Sequence, residues 1–527
     1  MIRRTYDGWG YSPLEQITPA NVARLKPVWV FSTGETRVHE AAPIVNNGVM
    51  FVSTPQNQVI AIDAKSGNVL WRYRRSRPEG SNVPHDTSRG VALYGDRVYF
   101  AAGEAVLVAL DVKTGKEVWT TTVADNKSGY YISLAPLIAG GKVMVGASGG
   151  EYGIRGFVAA FDTESGKEQW RTYTIPAPGE PGSETWPKGD QWKNGGGSVW
   201  VTGNYDVDTN IAYWGVGNGG PWMGDQRPGD NLYTASTIAL DVATGKIKGY
   251  HQYHPNDSWD WDEVSPPILV DFQRNGRTVK GLIDVARDGY LWFLERREDG
   301  PIRFRDGKPY VKQNVFLRLD PDTGRPEIDM AHKPGTGKQA EFCPSLHGGK
   351  NWPPIAFSPK TRMIYVPANE NLCGEQMGVK VEYLAGRAYT GVQMGAPRAQ
   401  PGADHFGEVQ AWNVDTGQRV WTHNYAKSPN WGAMLATAGG LVFSGGTNDR
   451  KFHAFDASSG KLLWEFPTSS GILAPPTSFL IDGKQYIAVH SGWGGDSRGM
   501  QANLNRLFPG EFPEVPEGGA VWVFAVE

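Results

Sequence analysis

One pattern recurs along the chain and limits what it can fold into: Ala-x-Asp, three residues, Gly, three more, then Trp. It appears as Ala61-Ile62-Asp63 with Gly67 and Trp71, as Ala109-Leu110-Asp111 with Gly115 and Trp119, and as Ala160-Phe161-Asp162 with Gly166 and Trp170. Late copies are Ala411-Trp412-Asn413 with Gly417 and Trp421, and Ala454-Phe455-Asp456 with Gly460 and Trp464. Weaker copies lie at Asp241 and Gly245, around Glu295 and Gly300, and at Asp320 and Gly324. The physics of the unit is legible. Val59 to Asp63 is a short apolar run rich in β-branched residues and reads as a buried strand. The segment Asp-x-x-Ser/Thr-Gly reads as a hairpin turn, with Asp bonding its own backbone and Gly taking a positive φ. The next strand carries a tryptophan able to pack flat between sheets, which accounts for much of the count of 20. Within the early and late groups the tryptophans stand roughly 40–50 residues apart, the length of a propeller blade.

The ends fit the same architecture. Lys26-Pro27-Val28-Trp29-Val30-Phe31 and Ala520-Val521-Trp522-Val523-Phe524 read as strands with no blade of their own. Pairing them would close a ring and remove an edge. The expectation is an all-β, eight-bladed β-propeller with tryptophan-docking repeats, forming one domain over 1–527. A solenoid is the runner-up, but it needs capping ends, and these ends look like strands that pair. Insertions break the rhythm at 173–200, 216–235 and 375–405, and long loops in a compact fold are usually functional or mobile.

With 40% hydrophobic and 20% charged residues, the composition is that of an ordinary globular chain. A net charge of −3 implies no nucleic-acid partner. No apolar run reaches the ~18 residues of a transmembrane helix, so no membrane partner is expected. Met1 to Gly10 is polar and aromatic, unlike a signal peptide. The chain is therefore either cytoplasmic or a mature form whose leader has been removed. The two cysteines, Cys343 and Cys373, are either free buried thiols or one disulfide. They are too few for a four-cysteine zinc site, and no Cys-x-x-Cys-His motif offers a covalent haem.

Several further motifs occur in order. They are Tyr11-Ser12-Pro13-Leu14-Glu15-Gln16-Ile17, His39-Glu40-Ala41-Ala42-Pro43, Gly149-Gly150-Glu151-Tyr152-Gly153 and Gly195-Gly196-Gly197-Ser198-Val199-Trp200. Gly217-Asn218-Gly219-Gly220-Pro221-Trp222, Ser258-Trp259-Asp260-Trp261-Asp262, Ala286-Arg287-Asp288-Gly289 and His347-Gly348-Gly349-Lys350-Asn351-Trp352 follow. Together they resemble the soluble pyrroloquinoline quinone (PQQ)-dependent alcohol dehydrogenases along nearly the whole chain. PQQ is a planar ortho-quinone with three carboxylates, so it needs flat walls, cations and donors. The resemblance implies that Trp200 stacks on the ring system and that Arg89 pairs with a quinone carboxylate. Glu40, Ser133, Ser148, Gly149, Gly150, Ser198, Asn351 and Trp352 fall on the remaining cofactor contacts. It also implies metal ligation by Glu151, Asn218 and Asp260, hard oxygen donors suited to calcium or a similar ion. Asp262 stands where the lanthanide-type branch carries an extra Asp. Two residues apart on a strand, Asp260 and Asp262 would share a face, and a further carboxylate suits a trivalent ion. Lanthanide is thus the expected metal, with calcium the alternative.

The resemblance further makes Asp260 the base that takes the alcohol proton as hydride leaves, and Arg287 the group that stabilises developing negative charge. Trp222 and Trp431 become walls of the substrate cavity. Most relatives carry a vicinal disulfide above the quinone, and here its positions hold Val83 and Pro84. A bulkier alcohol than methanol is expected, the more so if the 375–405 loop reaches the cavity. The family's other disulfide corresponds to Cys343–Cys373, which points to the periplasm. The expected activity is oxidation of an alcohol, with electrons passed to a separate soluble cytochrome c, and a homodimer is allowed. The alternatives are a cofactor-free propeller scaffold and a sugar-oxidising quinoprotein.

Overall fold

The repeated segment folds as a hairpin whose turn is closed by its own aspartate. Asp63 Oδ1 accepts the backbone N–H groups of Lys65 (3.1 Å) and Ser66 (2.8 Å) and the Ser66 hydroxyl, and Gly67 N returns to the Asp63 carbonyl. Gly67 takes φ 79°, where a β-carbon would be strained. Equivalent bonds close the turns at Asp111, Asp162, Asp241, Asp320, Asn413 and Asp456.

Further antiparallel strands extend these hairpins into four-stranded sheets whose strands follow one another in chain order. In the computed structural model, which describes residues 3–527, such sheets span 44–74, 92–122, 137–173, 204–252, 268–309, 356–425 and 435–467. The last gains a short parallel strand, Tyr11–Ser12. One more sheet is composite. Leu25–Ser32 pairs antiparallel with Ala520–Val526, which continues into Lys484–Ser491 and Thr477–Ile481. Trp29 there lies opposite Val523 and Val30 opposite Trp522. Met1 and Ile2 of the expected 1–527 domain lie outside the described residues.

Neighbouring sheets meet through apolar side chains and through the tryptophans. Leu107 and Ala109 of one sheet are buried with Leu137, Val145 and Phe161 of the next, and each large side chain so buried contributes about 1.5–3 kcal/mol. Trp71 lies over Gly115 in the following sheet's turn, where any β-carbon would strike the indole. Its Nε1 donates to the Val112 carbonyl at 3.0 Å. Trp29, Trp119, Trp170 and Trp421 repeat the contact at Gly67, Gly166, Gly245 and Gly460, with Nε1 bonds of 3.1–3.3 Å to Ala64, Thr163, Val242 and Ala457. Trp464 bonds Leu25 of the composite sheet at 3.1 Å. At the turn of Gly417 the arrangement differs. A hairpin, Phe272–Arg274 with Arg277–Val279, inserts into the sheet spanning 268–309, and Arg274 Nη1 donates to the Val414 carbonyl at 2.9 Å.

Helix α1, Gly495–Leu507, buries Met500 and Leu504 against Trp431, Trp493, Phe406 and Phe512. Its first turn and the 173–200 and 216–235 insertions all contribute side chains to one cavity.

Candidate functional site

This cavity holds about 510 Å³. Glu40, Arg89, Ser133, Gly149, Glu151, Trp200, Trp222, Asp260, Asp262, Arg287, Asn351 and Pro84 all line it, residues spread over more than 300 positions of sequence. Others named from the sequence stand directly behind. Ser148 Oγ is 3.1 Å from Ser133 Oγ. Gly150 approaches Ser198 so closely that an added β-carbon would lie 3.1 Å from its hydroxyl. Trp352 lies against the Arg89 guanidinium, 4.8 Å from carbon to ring centre.

Two expected wall residues do not reach the cavity. Trp431 is buried behind His347, with ring centres 5.7 Å apart, because α1 packs over it and presents the Met500 sulfur to its Nε1. Val83 packs over Gly103, leaving Pro84 and His85 on the wall. The 375–405 segment sends no side chain into this cavity either. It buttresses from outside: Tyr389 N donates to the Glu151 carbonyl at 2.6 Å, and Trp222 N to the Thr390 carbonyl at 2.9 Å.

Arg89 and Arg287 flank Trp200, their guanidinium carbons 4.8 and 5.6 Å from its ring centre. Arg89 pairs with Glu40 at 2.9 Å and donates to Ser133 at 2.6 Å. Arg287 donates to the Asp260 carbonyl at 3.0 Å and to Asn351 at 3.3 Å, with Asp262 at 3.7 Å. The Nε atoms of Arg89 and Arg287 and the Nε1 of Trp222 are buried and without a hydrogen-bond partner among the described residues.

The carboxylates are crowded. Asn218 Nδ2 donates to Asp260 Oδ1 at 2.9 Å, and Asn218 N to Asp262 Oδ1 at 2.6 Å. Burial pushes the Asp260 carboxyl well above its ordinary range, and the Asp262 charge pushes it further, against the pull of Arg287. Burial and then Asp262 likewise raise Glu151, and burial raises Asp262 although Arg287 opposes it. Burying charge without compensation is costly. A cation among these oxygens would relieve the repulsion, so the donor set fits a hard metal ion. The strand geometry expected for Asp260 and Asp262 is absent, since both lie in an irregular loop and Asp260 takes φ 67°. Among the described residues no three His, Cys, Asp or Glu side chains already converge at ligand distance. Asp262 instead spends its oxygens on Asn218 N and on Trp200 Nε1, at 2.8 Å.

Sequence reading missed the groups that hold this loop. Asp257, fully buried, accepts the backbone N–H groups of Trp259 (3.2 Å), Asp260 (3.0 Å) and Trp261 (3.3 Å). His254 Nε2 bonds Asp257 at 3.0 Å, and its Nδ1 lies 3.9 Å from Asp288, the neighbour of Arg287. Burial alone would discharge this imidazole, but Asp257 and Asp288 outweigh it and hold its pKa at about 9. His254, bonded to Asp257 and facing Asp288, thus links the Asp260 loop to the Arg287 loop electrostatically. Glu263 accepts Arg287 N at 2.9 Å. The adjacency of Asp257 to Asp260 and of Asp288 to Arg287 was the available signal.

A family profile described as "PQQ: Glucose/ethanol/alcohol dehydrogenase, beta-propeller domain" matches residues 1–303 and 423–487. The quinoprotein alcohol dehydrogenase PedH of Pseudomonas putida is 38% identical over 98% of this chain and 89% of its own. The chain belongs to the PQQ-dependent alcohol dehydrogenase family. The dehydrogenase is also 35% identical to a quinoprotein ethanol dehydrogenase of Pseudomonas aeruginosa, over 98% of this chain and 88% of the relative. It superposes on a europium-containing methanol dehydrogenase with a TM-score of 0.93 at 34% identity, covering 100% of this chain and 97% of the other. It is therefore a β-propeller oxidoreductase that uses PQQ to oxidise an alcohol. Cys343 and Cys373 form a disulfide. No helix among the described residues is long and apolar enough to cross a membrane.

Proposed function

We propose that the cavity beside Trp200 is where the alcohol is oxidised, with Asp260 as base and Arg287 as its electrostatic partner. The observation that carries this reading is the joining of Asp260, Arg287 and Trp200 on one cavity wall, two of them on loops that His254 links through Asp257 and Asp288. Trp200 offers the flat wall. Arg89, Ser133, Glu40, Asn351 and Trp352, with Ser148, Gly149, Gly150 and Ser198, form the polar rim that would hold the quinone. Glu151, the Asn218 carbonyl oxygen, Asp260 and Asp262 would hold the metal. When bound, PQQ supplies a two-electron acceptor and the metal a Lewis acid on its reacting carbonyl. Asp260 then takes the hydroxyl proton while the carbinol carbon gives up a hydride. Arg287 stabilises the negative charge that develops on oxygen.

The metal we propose is a lanthanide. Three carboxylates match a trivalent charge, and a relative of the same fold is named for europium. We further propose an eight-bladed propeller over 1–527, closed by the pairing of Leu25–Ser32 with Ala520–Val526 and docked through its tryptophans. This reading is supported by the recurring four-stranded sheets and indole contacts. The disulfide supports a periplasmic location, where a soluble cytochrome c would take the electrons. Substrates larger than methanol are expected, because Val83 and Pro84 hold the positions of the vicinal disulfide and only Pro84 of the two stands at the wall.

The test is dye-linked alcohol oxidation by the apoprotein with added PQQ, comparing calcium with lanthanum or cerium. Activity with the lanthanide and at least about tenfold less with calcium is expected. Activity with calcium alone would discard the lanthanide reading. Absence of both activity and quinone binding would discard the site.

A further inference from the structure

Among the carboxylates that line the cavity, Asp496 is the one that neither the proposed quinone and metal contacts nor an ion pair within the protein accounts for. Asp496 lies in the first turn of α1 and lines the cavity. Among the described residues its carboxylate makes no hydrogen bond or ion pair and does not cap its own helix. The neighbouring positive groups are committed elsewhere. Arg89 is held by Glu40 and Ser133, and Arg287 by Asp260 and Asn351. Arg498 pairs with Glu517 and Arg37 with Asp86, all four on the cavity wall. His347, also on the wall, is kept neutral by burial, with a pKa of about 4. His85, stacked on Tyr131, is the other imidazole there. Between these groups the wall is apolar: Val38, Pro84, Trp222, Leu346 and Trp493. A part-exposed carboxylate that faces the cavity without a protein partner would give up its water to an entering ligand, a cost that a cationic group on that ligand offsets.

We propose that Asp496 is a specificity residue that selects alcohols bearing an ammonium group at the end opposite the reacting hydroxyl. The proposal rests on the catalytic reading above, since the hydroxyl end must reach Asp260. The apolar walls take the carbon chain between the two ends, and Asp496 takes the cation. The reaction is the ordinary one: the alcohol carbon loses a hydride to the quinone, the hydroxyl loses its proton to Asp260, and an amino aldehyde leaves. The dye reoxidises the cofactor.

The experiment uses the PQQ- and metal-loaded protein with terminal amino alcohols of two to five carbons and the matching plain alcohols. In the native protein, kcat/KM for the amino alcohol relative to the plain one should pass through a maximum at one chain length. In Asp496→Asn that ratio should fall at least about tenfold, the worth of one charge-assisted bond. Asp496→Glu should retain most of it. Propylammonium, which cannot be oxidised at a hydroxyl, should inhibit propanol oxidation competitively in the native protein and at least about tenfold more weakly in Asp496→Asn. An unchanged ratio in Asp496→Asn, with or without a lower Tm, would overturn the proposal and leave Asp496 as a helix-terminus charge only. A preference without a length optimum that vanishes in salt would overturn it in favour of general attraction. Failure to oxidise any alcohol would instead count against the catalytic reading, which keeps the two separable.

Discussion

The sheets spanning 92–122 and 268–309 share one connectivity but are joined to their neighbours in different ways. The first receives Trp71 over Gly115 and sends Trp119 over Gly166, each contact sealed by an indole-to-carbonyl bond. The second makes its onward contact through Arg274, a side chain on an inserted hairpin. It is also the sheet whose 286–289 turn delivers Arg287, and it follows directly on the loop carrying Asp260 and Asp262. The difference teaches where the fold could afford departure. Regular contacts fix the frame, and a sheet without the outgoing indole contact carries Arg287, a residue proposed for catalysis.

If frame and site are separable, substitutions in each should move different observables. Asp260→Asn removes the carboxylate proposed as base and metal ligand. Turnover should fall about 10³-fold, while Tm changes by no more than a few degrees. Trp71→Ala should do the reverse. It empties a contact between sheets and should cost about 3–5 kcal/mol of stability, read as a lower denaturant midpoint, with kcat retained where the protein is folded. A loss of kcat in Trp71→Ala matching that of Asp260→Asn would break the comparison.

His254 sits on the boundary between the two. Its folded pKa, about 9, is raised above the ordinary 6.5 by Asp257 and Asp288 against burial. Its stabilising effect is therefore complete below about pH 6.5 and is lost as pH rises through 9. The full effect is on the order of 3 kcal/mol. Unfolding followed between pH 6 and 10 should show this decline in the native protein and not in His254→Gln. The variant should also lower kcat more than it raises KM, because it frees the backbone of Asp260. A pH profile of stability unchanged by the substitution would remove His254 from this role.

Much of the frame could be read from residues alone, because one turn chemistry repeats. Asp63, Gly67 and Trp71 each have a local reason to be where they are, and the same reasons recur at 111, 162 and 456. The cavity residues were legible only through family resemblance, since no local rule brings Glu40, Glu151, Asp260 and Arg287 together. Three features stayed hidden for physical reasons. Asp260 and Asp262 were assigned to a strand, whereas the Asp257 side chain, through bonds to the backbone two to four residues on, holds an irregular loop in which Asp260 takes a positive φ. Trp431 was assigned to the cavity wall, but the packing of α1 decides its burial, and nothing near Trp431 announces that helix. Asp496 reads in sequence as an ordinary acidic residue opening a helix, and only the cavity gives it another meaning.

The smallest effect separates the two kinds of sheet contact most sharply. Arg274 Nη1 bonds the Val414 carbonyl, the place an indole Nε1 occupies at Val112, Thr163, Val242 and Ala457. The guanidinium also lies over the rings of Phe272 and Phe293, at 4.8 and 4.3 Å. It is partly exposed, and burial lowers its pKa while Asp306 and Asp415 support its charge. Solvent screening therefore limits its ionic contribution, and the loss in Arg274→Ala should be about 1–2 kcal/mol, mostly hydrogen bonding and packing. Arg274→Lys should recover little, because an ammonium cannot lie flat on two rings and bond the carbonyl together. If Arg274→Ala costs as much as Trp71→Ala, the departure from the indole contact is only a change of residue. If it costs the smaller amount, this interface is the softer one, and kcat should respond to Arg274→Ala more than to Trp71→Ala because the same sheet holds Arg287.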